Sequence, residues 1–267
     1  MPKTYLYDDV KIIKKPFKYR FRVFLIFFGI AIILGASVLS GMYLSKALMV
    51  GNITSVMVYG GTSIARNEKK YYAVILGEYD DKNEAISVGL GANVQGASGY
   101  VWENGKYYVV GNIYTSRSDA ESVIENLKET NYNVSIMDIT LKKIKVSFDN
   151  IENKNVKIIK DALSLYDIVY EELYDYSIKF DSKVYNNLAV CSYITALRGR
   201  VRTSISAVQD ISDGNEKLLT IIGGLIKIDT ILDDLILQTI ENKGTNYQLK
   251  YAISSVVRIQ YETYNNL

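Results

Sequence analysis

The stretch Tyr71-Tyr72-Ala73-Val74-Ile75-Leu76-Gly77, continued by Glu78-Tyr79-Asp80-Asp81-Lys82-Asn83-Glu84-Ala85-Ile86, decides how the chain is read. Its first half is rich in β-formers, and Asp80 to Asn83 then supply a turn and a helix start, so it predicts a strand followed by a helix. The pattern returns 35 residues later, with Tyr72 overlaying Tyr107, Tyr79 overlaying Tyr114 and Ala85 overlaying Ala120. Each half closes with another short strand, Gly99 to Trp102 before the turn Glu103-Asn104-Gly105, and Val134 to Ile139. The order βαββαβ predicts a four-stranded antiparallel sheet with two helices on one face, leaving the other face free to bind something.

Toward the C-terminus the pattern changes after Val146 to heptad-like runs. Helices are expected over Val156–Ile178, Lys183–Ile211, Glu216–Ile240 and Tyr247–Tyr264, separated by Phe180-Asp181-Ser182, Ser212-Asp213-Gly214 and Lys243-Gly244-Thr245. In the third, Leu218, Ile221, Ile222, Leu225, Ile228, Ile231, Leu232 and Leu235 recur at three and four, an apolar stripe that predicts a helical bundle. Such a bundle has the character of a surface for a protein partner or for self-association.

Toward the N-terminus, Val23 to Leu44 reads VFLIFFGIAIILGASVLSGMYL, 22 residues without a charge, long enough to span ~30 Å of hydrocarbon as a helix. Lys11, Lys14, Lys15, Lys18, Arg20 and Arg22 precede it and only Lys46 follows closely, so a cytoplasmic N-terminus and an extracytoplasmic bulk are expected. A cleaved leader is the rival reading, opposed by the long basic region, the length of the span and the lack of an A-x-A site. The expected fold class is α+β: an N-terminal single transmembrane helix, the βαββαβ domain, then an all-α C-terminal helical bundle. The expected boundaries are a tail 1–22, a span 23–44, a linker 45–68, the sheet domain 69–142 and a helical domain 143–267.

Lys+Arg 31 against Asp+Glu 29 gives a net of +2, too small a positive field for nucleic acid, which is not expected as a partner. There is no histidine, so the usual general base of hydrolases and the commonest zinc ligand are missing; no catalytic residue, metal or cofactor is expected. The lone Cys191 is read as buried. Gly89, Gly91, Gly96 and Gly99 match no phosphate loop and are read as shortening the first helix. Neighbouring carboxylates such as Glu171-Glu172 and Asp233-Asp234 diverge by ~100° on a helix and do not share a site. Arg198, Arg200 and Arg202 form a basic cluster, read first as a charged helix surface and second as a contact for an acidic partner.

The segments YYAVILGEYDDKNEA and GYVWENGKYYVVGNIYTSRSDAESVIENLKETNYNVSI together resemble a SPOR domain, the sporulation-related repeat, over about residues 69 to 142. The arrangement of tail, span, repeat and further domain is similar to the stage II sporulation protein B type of endospore-forming bacteria. What the resemblance implies is a membrane-anchored protein that binds septal peptidoglycan through glycan strands stripped of stem peptides, in sporulation or cell division. The implied binding face is the open side of the sheet, with Trp102, Tyr108 and Tyr100 stacking on sugar and with Ile75 and Glu78 where the family places glutamine and serine. Residue parity leaves two orientations for Trp102 and Tyr100: onto the open face, or into the helix-covered core. The alternative function is a SPOR-like fold serving as a protein-interaction module in a membrane assembly, with no glycan binding.

Overall fold

The computed structural model describes residues 53–58, 61–128, 132–149 and 151–267. The elements run β1 (Ile53–Val58), β2 (Gly61–Arg66), β3 (Lys69–Tyr79), α1 (Lys82–Val94), β4 (Tyr100–Asn104), β5 (Lys106–Tyr114), α2 (Arg117–Leu127), β6 (Ser135–Leu141) and β7 (Ile144–Asp149). A 3-10 turn (Asn153–Asn155) leads into α3 (Val156–Asp181), α4 (Asn187–Gln209), α5 (Glu216–Ile240) and α6 (Thr245–Asn265).

The internal repeat is visible in the capping chemistry. Asp81 caps α1 by accepting from the Glu84 N–H at 2.9 Å, and Ser116, offset by the same 35 residues, caps α2 by accepting from the Asp119 N–H at 3.4 Å. Strands β3 to β6 make an antiparallel sheet in the order β4-β5-β3-β6. Period-two alternation splits β3 cleanly: Val74 and Leu76 pack under α1 and α2 with Ala85, Ala92, Val109 and Ala120, while Tyr71, Ala73 and Ile75 belong to the opposite face. A bulge between β3 and β5 leaves Leu76 and Gly111 outside the regular pairing.

The expected fold class is right in its α+β character and in the βαββαβ unit, and wrong in two respects. First, a second antiparallel sheet, β1-β2-β7, occupies residues assigned to the linker 45–68 and to the start of the helical domain 143–267. The Ile144, Val146 and Phe148 side chains are buried while Lys145 and Ser147 are exposed, the alternation of a half-buried strand. Second, the helices do not form a separate all-α bundle, because α3 and α6 pack directly on the sheet's other face and share one core with it. No helix among the described residues is long and apolar enough to cross a membrane. The expected span at 23–44 and the tail at 1–22 lie outside the described residues.

The two sheets are joined by continuous strands. Arg66 pairs with Ile144 and Lys69 with Leu141, so Asn67-Glu68 on one strand lie across from Lys142-Lys143 on the other with no slip of register. All four residues are exposed. Two successive exposed positions invert the alternation, so the ribbon bends there and presents Ile64, Val146 and Phe148 on one side of the bend, and Tyr71, Ile139 and Leu141 on the other, to the same core. The described residues fall within one compact unit, residues 49–267.

Candidate functional site

The five nominated residues lie close together. Tyr100 and Trp102 alternate onto one face of β4 with rings 6.4 Å apart, and Tyr108 on β5 pairs with Trp102 on one side and with Glu78 on the other. Ile75 pairs with Val110, which pairs with Tyr100. The face they share is not open. Trp102 is 3% exposed and Ile75 1% exposed, while Tyr100 and Tyr108 are half-buried and pack against the helical core. Only Glu78 is exposed, in a surface ion pair with Lys106 at 2.6 Å.

The covering element is α6. Tyr251 meets Tyr100 edge-on at 5.2 Å, Tyr261 meets Trp102 edge-on at 5.9 Å, and the Arg258 guanidinium lies 4.9 Å over the Trp102 ring while its Nη1 donates to the Glu103 carbonyl at 3.0 Å. Burial pushes the Tyr100 phenol up to about 12, against the opposing pull of Arg258. Farther along the same helix, Ser254 and Ser98 share a hydroxyl hydrogen bond of 3.0 Å, and Lys250 donates to the Gly96 carbonyl at 2.9 Å. Composition singles out the aromatic row on the sheet but not its cover. The readable signal for the cover is the spacing of Tyr251, Ser254, Arg258 and Tyr261 along α6, one polar-aromatic face at helical period.

A buried polar knot fastens the other half of the face. Arg66 on β2 donates through Nη2 to both Asp167 carboxylate oxygens on α3, at 2.7 and 2.5 Å, and through Nη1 to the Tyr264 hydroxyl on α6. Lys69 reaches the same carboxylate at 2.8 Å; Gln260 donates to it at 3.0 Å and accepts from the Tyr71 hydroxyl at 2.8 Å. Burial alone would raise the Asp167 carboxyl, but Arg66, Lys69 and the hydrogen bonds outweigh it and hold the group below its ordinary range. Burial, reinforced by that carboxylate, pushes the Tyr71 phenol well above its ordinary value. Every strong donor and acceptor here is occupied by another, which is the arrangement of a structural clamp rather than of a reactive group.

The remaining sequence features resolve similarly. Arg198 and Arg202 each pair with Asp229 at 2.9 Å, and Arg200 pairs with Glu172 at 2.6 Å, so the basic cluster is spent on neighbouring helices. Cys191 is half-buried rather than buried. Helix α1 runs through Gly89 and Gly91 to Val94 and is not shortened by them; Gly89 is needed because a Cβ there would stand 2.5 Å from the Gly99 carbonyl oxygen. A shallow cleft of about 750 Å³ lies where the α3–α4 and α5–α6 connections meet, lined by Phe180, Tyr185 and Leu188 with Asn186, Asn242 and Asn246. Asn187 donates to the Asn242 side chain at its edge. Among the described residues no three His, Cys, Asp or Glu side chains are grouped as metal ligands.

In comparisons with known proteins, no family model matches this chain, and neither a curated protein nor a solved structure matches it.

Proposed function

We propose that this chain is a non-catalytic component of a cell-envelope assembly, active in sporulation or division, that acts as a protein-interaction platform, its SPOR-like sheet being the scaffold for the helices that present the contact surface. The observation that carries this reading is Trp102, 3% exposed beneath Arg258 and Tyr261, on the face that a glycan would need. A sheet face filled by the chain's own helices is closed to a sugar, so contact with a partner falls to the outer surfaces of those helices. The charge asymmetry around residues 23–44 supports a membrane location with the bulk of the chain extracytoplasmic, and the resemblance over residues 69 to 142 supports the septum.

A second reading keeps glycan as the ligand. It is favoured by the row formed by Tyr100, Trp102 and Tyr108 on adjacent strands, the type of platform on which sugar rings stack, and it requires α6 to lift away. Pull-down of the full-length chain on wall sacculi, with and without amidase removal of stem peptides, separates the two. The interaction-platform reading expects no enrichment on denuded glycan and a Trp102→Ala chain that melts early. Enriched binding to amidase-treated sacculi, lost in a Trp102→Ala chain that keeps its melting temperature, overturns it in favour of glycan.

A further inference from the structure

Helix α5 is apolar on more sides than its own core requires. Its buried stripe, from Leu218 through Leu225 and Leu232 to Leu235, faces the bundle. A second stripe faces out: Leu219, Ile226, Leu237 and Ile240 are 49%, 46%, 56% and 62% exposed. With Gly223, Thr230 and Asp233 they form the series 219, 223, 226, 230, 233, 237, 240, whose steps alternate four and three. That is the spacing of a heptad coiled-coil seam held for three repeats, exposed at Leu219, Ile226, Thr230, Leu237 and Ile240 and half-covered at Gly223 and Asp233, where Arg198 reaches in. Scattered exposed apolar residues need no explanation, but a seven-position seam about 32 Å long at coiled-coil spacing does.

The positions that are not large and apolar say which way a partner lies. A Cβ built at Gly223 meets nothing within 4 Å, so the seam has a hole there, with Leu237 protruding the same distance on the other side of Thr230. Thr230 is the midpoint of the series. Two copies of α5 laid antiparallel about Thr230 put Leu219 against Ile240 and Leu237 into the hole at Gly223. Laid parallel, they would oppose Gly223 to Gly223, leaving a void.

Charge agrees with the antiparallel choice. Lys227 and Asp234 flank the seam on one edge, three residues before and four after Thr230, and an antiparallel two-fold pair brings like edges together. Lys227 of one copy therefore meets Asp234 of the other. Asp234 is exposed and has no ion pair among the described residues, and Lys227 has only a long contact to Glu262, at 3.5 Å. On the opposite edge Asp229 is held within the chain by Arg198 and Arg202, and the seam's own Asp233, which falls opposite Ile226, is held by Arg198.

We propose that the outward seam of α5, Leu219 to Ile240, is a homodimer interface in which a second copy of this chain packs antiparallel about Thr230. This rests on the interaction-platform reading and names the partner. The test uses the full-length chain in mild detergent with Cys191→Ser as background and a short bis-maleimide as cross-linker. Thr230→Cys is expected to cross-link to itself efficiently. Leu219→Cys and Ile240→Cys are each expected to fail alone and to cross-link when the two chains are mixed. Ile226→Glu should raise the dimer dissociation constant at least about tenfold with its melting temperature unchanged in the monomer range, since the side chain it replaces is exposed. Self-cross-linking at 219, 230 and 240 alike would mean a parallel pair, and a monomeric mass with no cross-link at any position would mean another occupant; either overturns the proposal. Neither outcome touches the wider reading, which is decided separately by sacculus binding.

Discussion

The two faces of the four-stranded sheet are packed by different means. Under α1 and α2 the fully buried contacts are small and aliphatic, Val74, Leu76 and Val109 against Ala85, Ala92 and Ala120, with half-buried tyrosines such as Tyr72 and Tyr107 at their margin and Gly89 letting the helix approach the Gly99 loop. Under α3 and α6 the contacts are large and directional: Tyr71, Trp102 and Tyr170 with the Arg66–Asp167–Gln260 knot. The difference follows from sequence distance. Helices α1 and α2 are tethered to their strands by a few residues, so close packing of small groups suffices to fix them. Helix α6 arrives about 150 residues after β4 and could settle in many positions on a plain apolar surface; a fixed pattern of charges and ring edges selects one.

Removing the largest ring tests this most severely. Trp102→Ala should destabilise the protein by about 3 to 5 kcal/mol in denaturant titration, because it opens a cavity between β4 and α6. A loss of only a few tenths would mean that the face is free in solution and that the contrast between the faces is void. Next is Asp167→Ala, which strands the Arg66 charge and should cost about 3 kcal/mol. Its pH dependence sharpens the point. The folded-state pKa of Asp167 is lowered, so its contribution is present above the unfolded value of about 4 and is lost as pH falls through the folded one. The normal chain should lose stability through that acid window more steeply than Asp167→Ala; parallel curves would show that the carboxylate is not clamped.

On the other face Gly89→Ala should cost about 1 to 3 kcal/mol by forcing α1 off the Gly99 carbonyl. Hydrogen exchange should quicken in α1 while α3 and α6 keep their protection; equal loss in both would mean that the two faces are not independent. The smallest effect belongs to Glu78→Ala. Its ion pair with Lys106 is exposed, so stability should stay within about 0.5 kcal/mol, and a larger change in melting would show a role for the sheet edge that the packing does not explain.

Much of this was legible in the residues. The 35-residue repeat fixes the βαββαβ unit, period two puts Tyr100 and Trp102 on one face, and the apolar stripe sets α5 at Glu216 to Ile240. Strand β7 was legible too, in the alternation Ile144-Lys145-Val146-Ser147-Phe148, but the stretch lies where the period changes and reads as a boundary. Strand β2 carries a weaker signal, since glycine, serine and alanine in Gly61–Arg66 have little preference for strand. Which sheet face is covered was not legible at all. Alternation says that Trp102 and Tyr100 go together; it says nothing of where a helix starting at Thr245 will lie, and the pairing of Arg66 with Asp167 spans 101 residues.

The bent ribbon sets an order of events as the chain is made. Strand β2 pairs along one edge with β1 just before it, but its other edge waits for β7, which follows about eighty residues later, after the whole βαββαβ unit has emerged. Closing so long a loop is slow, and until Ile144 to Asp149 are synthesised the β7-facing edge of β2 is unpaired and the core that Ile64 enters is incomplete. A nascent chain paused between Leu141 and Ile144 therefore carries a finished four-stranded sheet with an unfilled aromatic face and a leading β1–β2 pair with one open edge. That interval is when capture by a chaperone, or pairing with the β7 of a neighbouring chain, competes most directly with correct folding.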